Sequence, residues 1–331
     1  MSKPNHRARL EKVLSNEKPD RIPISFWRHF PVDDQNPESL ARAVIDHQMI
    51  YDFDFIKVTP ASSYCLYDYG VRDEWRGNPE GTRDYSKALI NKSSEYKNIR
   101  VLDPRKGKLD AQLKCLALLH KNLPDSTPFI QTIFSPLAQL KHLVGNHQLP
   151  YFLRCHPDES IEMIKTITKT TKLFIEECKK NKIDGIFYAV QSATYDQFSE
   201  SEYLTFGKPF DLDILLHVQD LWLNILHIHG NNIMFDIVRE YPCQIFNWHD
   251  RETSPSLREA LINTSKVVCG GLRRIDTMLL GSKQQVRNEI MDAFEQTGGK
   301  RWILSTGCVL MLTTPQGNIR SAIEIINSLS K

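Results

Sequence analysis

No stretch of this 331-residue sequence approaches the roughly 18 consecutive apolar residues that a membrane-spanning helix needs. The first twenty residues are polar and lack the apolar core of a secretory signal, so a cytoplasmic protein is expected. An excess of one charge is also missing: 42 Lys and Arg stand against 40 Asp and Glu, for a net charge of +2. That balance gives no electrostatic reason to expect nucleic acid or a membrane surface as the main partner. There is no Cys-x-x-Cys, and the seven cysteines (65, 115, 155, 178, 243, 269 and 308) are scattered and odd in number. They read as reduced thiols, six of them packing residues, and not as a disulfide framework. No Gly-x-Gly-x-x-Gly follows an apolar run, which counts against an open dinucleotide-binding sheet. Low-complexity tracts and internal repeats are absent too.

What the chain does contain is an alternation. Short β-rich apolar runs occur at Ile22–Phe26, Asp54–Val58, Phe129–Phe134, Gly185–Val190, Asn224–Ile228, Gln244–Asn247, Lys266–Cys269 and Trp302–Leu304. Helical patterns lie between them, at Pro37–Tyr51, Asp110–Lys121, Pro157–Lys180, Phe210–Leu223, Ile233–Glu240, Pro255–Thr264, Lys283–Thr297 and Pro315–Ser330. Proline near several helix starts suits the first turn, and Gly298-Gly299 marks a helix end. Strands alternating with helices make βαβ units and a parallel sheet. Eight units predict an α/β fold, a single (β/α)8 TIM barrel covering residues 1–331 as one domain. Thr59 to Leu109 is too long for a plain connection and reads as an excursion over the barrel mouth.

In such a barrel the chemistry sits at the C-terminal ends of the strands. The residues found there are Trp27, Arg28 and His29; Thr59, Ser62 and Tyr64; Ser135-Pro136; Gln191-Ser192; His227 and His229; Trp248, His249 and Asp250; Gly270, Gly271, Arg273 and Arg274; and Ser305 to Cys308. His227 and His229 are two apart on a strand end, so both rings point to one side. Closure of the barrel brings Cys308 near them. Two imidazoles and a thiolate would form a three-ligand zinc site with an open position, the pattern of a catalytic zinc. Taken singly, the histidines also read as polar residues satisfied at a strand end, and Cys308 as a core filler. Arg28 reads either as a surface or capping arginine or as a clamp for a carboxylate or phosphate.

Several segments, in order, carry a resemblance: Lys18-Pro-Asp-Arg-Ile-Pro-Ile, Asp54-Phe-Ile-Lys-Val, Phe129-Ile-Gln-Thr-Ile-Phe-Ser-Pro-Leu, Asp184-Gly-Ile-Phe-Tyr, Leu226-His-Ile-His-Gly, Val268-Cys-Gly-Gly, Ile303-Leu-Ser-Thr-Gly-Cys and Thr314-Pro-Gln-Gly-Asn-Ile. Over nearly its whole length the chain resembles the uroporphyrinogen decarboxylase superfamily, whose fold is a (β/α)8 barrel. The decarboxylase branch implies two arginines four apart after the first strand, an aspartate after the second, a tyrosine in the helix after the third, and a late Gly-His-Gly. Here Arg28 fits the first arginine, and Val32, Thr59-Pro60, His142 and Gly307-Cys308-Val309 stand at the other places. The second branch comprises zinc-dependent methyltransferases that move a methyl group between a corrinoid and a thiol, with His-x-Cys-Gly after the fifth strand and Gly-Cys after the eighth. His227, Gly230 and Cys308 match that pattern, and His229 replaces its cysteine.

The resemblance therefore implies an enzyme with one zinc held by His227, His229 and Cys308 and with a substrate thiol as methyl acceptor. Arg28 and Arg273 would hold an anionic tail of the substrate, Tyr64 and Trp248 would wall the cavity, and Gln191 would orient a polar group. A corrinoid, supplied by a partner protein, is the expected methyl carrier, and a homodimer is a common arrangement of such barrels. The alternatives are a metal-free decarboxylase of a porphyrinogen or a smaller acid, with Arg28 and His29 on carboxylates, and a barrel that binds a ligand without chemistry.

Overall fold

The computed structural model describes residues 5–85, 88–90, 92–145 and 147–329. The chain begins with helix α1 (His6–Leu14) and helix α2 (Pro37–Tyr51), followed by β1 (Ile56–Val58), a short antiparallel pair β2 (Asp73–Glu74) and β3 (Asp84–Tyr85), and α3 (Gly107–Asn122). Next come β4 (Phe129–Phe134), α4 (Pro136–Val144), α5 (Leu149–Cys155), α6 (Pro157–Lys180), β5 (Gly185–Val190), α7 (Glu200–Phe206) and α8 (Lys208–His217). The last third runs β6 (Ile225–Ile228), α9 (Phe235–Val238), β7 (Ile245–Trp248), α10 (Leu257–Asn263), β8 (Val267–Leu272), α11 (Lys283–Thr297), β9 (Trp302–Thr306) and α12 (Gln316–Ser328).

β1 and β4 to β9 form one seven-stranded sheet in chain order, parallel throughout. The sheet curls, and the eighth stave is the segment at Ile22–Phe26. Ile24 makes a single parallel bridge to Leu304, while the Asp54 amide donates to the Ile24 carbonyl at 2.9 Å on the other side. The sequence predicts a regular strand here. Pro23 has no N–H to give to a ladder, so hydroxyls complete the seam: Ser305 Oγ donates to the Ser25 carbonyl at 2.7 Å and Ser25 Oγ to the Phe55 carbonyl at 2.8 Å. The result is the expected TIM-barrel fold with one irregular stave.

Both faces of the sheet are covered, which is why its strands read as unbroken apolar runs. Alternation sorts them. Phe55, Ile130, Phe187, Ile225, Ile245, Val267 and Ile303 point into the barrel, and Leu10 and Val13 of α1 pack with them, so α1 plugs the N-terminal end. Residues one position along join the larger core beneath the helices. On α6, Met163, Ile164, Ile167, Thr171, Phe174 and Cys178 are buried at helical spacing. Helix starts follow local chemistry: Asn36 caps α2 before Pro37, and Ser135 caps α4 before Pro136.

Boundaries differ in places. The helix expected over Phe210–Leu223 lies earlier, at Lys208–His217, after a separate helix at Glu200–Phe206, and the one over Ile233–Glu240 is a single turn. α1, α4 and α5 lie outside the expected helical patterns, and the predicted end at Ser330 lies outside the described residues. The excursion from Thr59 to Leu109 does cross the mouth. Gly81, at φ +87°, packs so closely on His29 that a Cβ would lie 2.5 Å from the His29 Cβ. The Leu312 amide donates to the Pro79 carbonyl at 2.9 Å, fixing the excursion to the segment after β9.

Candidate metal centre

Inward alternation continues up each strand to the mouth. Above Ile225 come His227 and His229, above Ile245 come Asn247 and His249, and above Ile303 come Ser305 and Gly307. His227, His229 and Cys308 each offer a ligand atom, and these atoms lie within 4.8 Å of one another. Cys308 Sγ is 4.0 Å from His229 Nδ1, and the two rings are 5.6 Å apart, centre to centre. These separations are those of groups able to close on one small ion.

The neighbours of His227 choose its tautomer. Asn247 Nδ2 donates to the carbonyls of Cys269 (2.8 Å) and Thr306 (3.0 Å), which turns Asn247 Oδ1 toward the histidine. Oδ1 can only accept, so His227 Nδ1, at 2.6 Å, carries the proton. Nε2 keeps its lone pair. Burial also lowers the His227 pKa, which favours the neutral ring that a metal requires. An amide that orients a ligand in this way typically contributes 10- to 100-fold in metal affinity. Asn247→Leu should weaken zinc binding by roughly that factor, read by competition with a coloured chelator.

Gly307 sets the position of Cys308. A Cβ there would lie 2.6 Å from both the Trp248 carbonyl oxygen and His249 Cα. The loop after β9 can therefore lie against β7 only if residue 307 lacks a side chain. Gly307→Ala should shift Cys308 and lower metal affinity at least about tenfold, at a stability cost of about 1–3 kcal/mol, measured by the same competition and by urea unfolding.

Burial alone would raise the Cys308 thiol, but His227, His229 and His249 around it more than offset this and hold its pKa well below the ordinary value. His249 was outside the set of residues expected to bind metal. Its Nδ1 is 3.1 Å from Glu252 Oε2, and its buried Nε2 makes no hydrogen bond, yet Cys308 and Glu252 together raise its pKa against the effect of burial. Its ring lies 5.4 Å from that of His229. The period-2 alternation from Ile245 through Asn247 was the available signal for it.

A cavity of about 150 Å³ opens beside these groups. Its lining includes His29, Gln191 and the three candidate ligands, with Trp27, Lys57 and Phe187 as wall. His227 stacks on Phe187 at 5.1 Å. His29 is buried, which pushes its pKa down to about 3, so it is a neutral wall residue. Gln191 accepts from Lys141 Nζ at 3.1 Å. The remaining expected residues lie elsewhere. Arg28 borders a separate narrow crevice and donates to the His29 carbonyl at 3.2 Å. Tyr64 is buried behind the wall, donating to the Thr132 carbonyl at 2.7 Å. Trp248 points outward to Phe235 and the Pro255 carbonyl, because alternation gives the inward place to Asn247. Arg273 pairs with Glu289, while its neighbour Arg274 turns to the mouth and binds Glu80 at 2.6 Å.

A curled parallel sheet with a nitrogen and sulfur donor set at its C-terminal rim defines a (β/α)-barrel of the kind that carries enzymes. The profile of the uroporphyrinogen decarboxylase (URO-D) family matches residues 5–329, and the chain belongs to that family. The fold is similar to that of a methyltransferase from Methanosarcina mazei (TM-score 0.86, 15% identity, 99% of each chain). It is also similar to a B12-independent methionine synthase from Shewanella sp. W3-18-1 in complex with selenomethionine (TM-score 0.61, 11% identity, 93% of this chain and 98% of that one). A putative vitamin-B12 independent methionine synthase from Listeria monocytogenes aligns at TM-score 0.57 and 11% identity, over 92% of this chain and 96% of that one. No curated protein matches the sequence. Among the described residues no helix is long and apolar enough to cross a membrane.

Proposed function

We propose that this barrel is a zinc-dependent methyltransferase that moves a methyl group from a corrinoid or another carrier onto the sulfur of a small thiol. The carrying observation is the cluster of His227, His229 and Cys308, with donor atoms within 4.8 Å of one another. Two nitrogens and one sulfur suit zinc, and three protein ligands leave a place for substrate. Zinc held there would supply the Lewis acidity that keeps a thiol deprotonated at neutral pH.

The chain's own residues do the rest. Asn247 holds His227 in the ligating tautomer. Trp27 and Phe187 give the cavity beside the cluster an apolar wall. Ser62, Thr82 and Gln191 also border a wider bay of about 610 Å³, with Arg83, Tyr85 and His142 on its wall, through which a carrier would approach. The named activities of the M. mazei, Shewanella and Listeria proteins favour methyl chemistry, and the free, partly accessible Cys308 suits a reducing cytoplasm. Arg28 borders a separate crevice and not this cavity, which counts against a porphyrinogen with many carboxylates.

The test is incubation of zinc-loaded protein with methylcobalamin and a panel of short thiols. The expected result is a methyl thioether seen by mass spectrometry, with the thiol proton released and the carbon–cobalt bond broken to leave cob(I)alamin, seen by its absorption. Zinc-loaded protein that methylates no thiol from this or any other methyl donor would overturn the proposal.

A further inference from the structure

The hairpin of β2 and β3 reaches across the barrel mouth with its tip, residues 75–83. Its ladder is only two residues long, with Asp73 opposite Tyr85 and Glu74 opposite Asp84. No side chain of the tip belongs to either apolar core. Within the tip, Asn78 builds a compact turn. Its carbonyl accepts from the Gly81 amide at 2.8 Å, and its Oδ1 accepts from the Glu80 amide at 2.9 Å. Gly77, at φ +79°, and Gly81, at φ +87°, flank this turn, and a Cβ at Gly77 would meet no atom within 4 Å. The turn is therefore a stiff unit hung between two backbone positions that favour glycine.

Two hydrogen bonds among the described residues tie this turn to the far side of the mouth. The Leu312 amide donates to the Pro79 carbonyl at 2.9 Å, and Arg274 Nη2 donates to Glu80 Oε1 at 2.6 Å. The Arg274 side chain is 12% exposed, so Glu80 supplies the charge that a largely buried guanidinium needs, and the pair favours the tip in this position. A segment with so few apolar contacts opens at low cost once such a pair is broken. The tip also divides two spaces. Glu80 and Thr82 line the cavity of about 150 Å³ that holds the cluster, and Thr82 and Arg83 line the bay of about 610 Å³. Ser62, Thr82 and Gln191 border both, so the partition is one side chain thick. The smaller space is below the usual 300–1,000 Å³ of pockets for drug-sized ligands, and a macrocyclic carrier does not fit it.

We propose that the hairpin tip at residues 75–83 is a gate, latched by Arg274 and Glu80, whose lifting joins the cavity to the bay and opens the His227–His229–Cys308 cluster to a bulky reactant. That the reactant is a methyl carrier rests on the methyl-transfer reading; the movement itself does not. Gly77 and Gly81 absorb the backbone change, and Gly81 leaves its seat on His29.

The experiment is alkylation of the full chain after chelation, with iodoacetamide and with fluorescein iodoacetamide, which carry one reacting group on a small and on a bulky body. Mass spectrometry of the Cys308 peptide gives both rates, and the exposed Cys155 is the ungated reference. Dividing the bulky-reagent rate by the small-reagent rate cancels any change in the thiol's own reactivity. In the native chain this ratio should be far lower at Cys308 than at Cys155. Glu80→Gln and Arg274→Met, each checked for folding by thermal unfolding, should raise the Cys308 ratio at least about tenfold, as expected for loss of one charge-assisted hydrogen bond, and leave the Cys155 ratio unchanged. Glu80 is partly exposed, so Glu80→Gln keeps the test open should Arg274→Met not fold. A native Cys308 ratio equal to that of Cys155 overturns the proposal, as does a Cys308 ratio unmoved in a folded variant. Failure of methyl transfer beside a raised ratio would overturn the function proposed above and leave the gate standing.

Discussion

Cys308→Ala should release the metal: zinc content is expected to fall from about one equivalent per chain to none after dialysis against a mild chelator. The argument rests on donor chemistry. Cys308 is the single sulfur in the cluster, its thiol is held well below the ordinary pKa by three histidines, and a thiolate is the strongest zinc donor present. Two imidazoles on one strand end would remain, and these hold zinc weakly. His227→Ala should act in the same direction, with Asn247 then left facing an empty place. The variant to compare is Cys269→Ala. Cys269 also lies inside the barrel but is fully buried, with its thiol pushed well up, so its loss should leave zinc content unchanged. Elemental analysis of the three proteins separates a site from adventitious metal.

The second large effect is on stability. Asp54 is wholly buried at the N-terminal end of the barrel. It accepts from Arg9 at short range, from Arg21 at 2.7 Å, from the Ile24 amide at 2.7 Å and pairs with His6 at 3.0 Å. One carboxylate thus fastens α1, the irregular first stave and the segment leading into β1. Asp54→Ala would leave the buried guanidinium of Arg9 without its inner partner, and breaking a buried pair of this kind costs about 3–5 kcal/mol. The midpoint of urea unfolding should fall accordingly. The pH dependence has a defined sign. Burial raises the Asp54 pKa, but His6, Arg21, Arg9 and the Ile24 amide together bring it below the ordinary 3.8. Its stabilisation is therefore complete above the unfolded pKa and is lost as pH falls through the lower folded one. Asp54→Ala should remove that part of the acid-unfolding profile.

Both predictions concern residues that flank strands, Cys308 after β9 and Asp54 before β1, and it is in the strands themselves that sequence and structure agree best. The parallel strands are buried on both faces, so they stand out as apolar runs, and seven of the eight staves formed a ladder. Pro23 accounts for the other. His227 and His229 were recognisable as a pair because period-2 alternation needs no knowledge of neighbouring strands. Cys308 joined them through closure of the barrel.

The wall of the cavity was less readable, for a geometric reason. Whether a residue just past a strand end turns in or out depends on packing and not on its type. Trp248 and Asn247 are adjacent at the end of β7, and the phase set by inward Ile245 gives the small amide the inward place beside His227. Arg273 and Arg274 are adjacent too, and Glu289 holds the first while Glu80 holds the second. Lys57 carried a signal that strand phase would have given, being in step with Phe55. Helix limits were lost chiefly where short helices replace one longer pattern, as between Glu200 and His217.

The central claim is that one zinc sits among His227, His229 and Cys308. X-ray absorption at the zinc edge on the purified native chain tests it most directly. The prediction is about one zinc per chain, with a single sulfur neighbour at about 2.3 Å and nitrogens at about 2.0–2.1 Å. A shell without sulfur, a shell with two or more sulfurs, or protein that retains no zinc when supplied with it would contradict the claim.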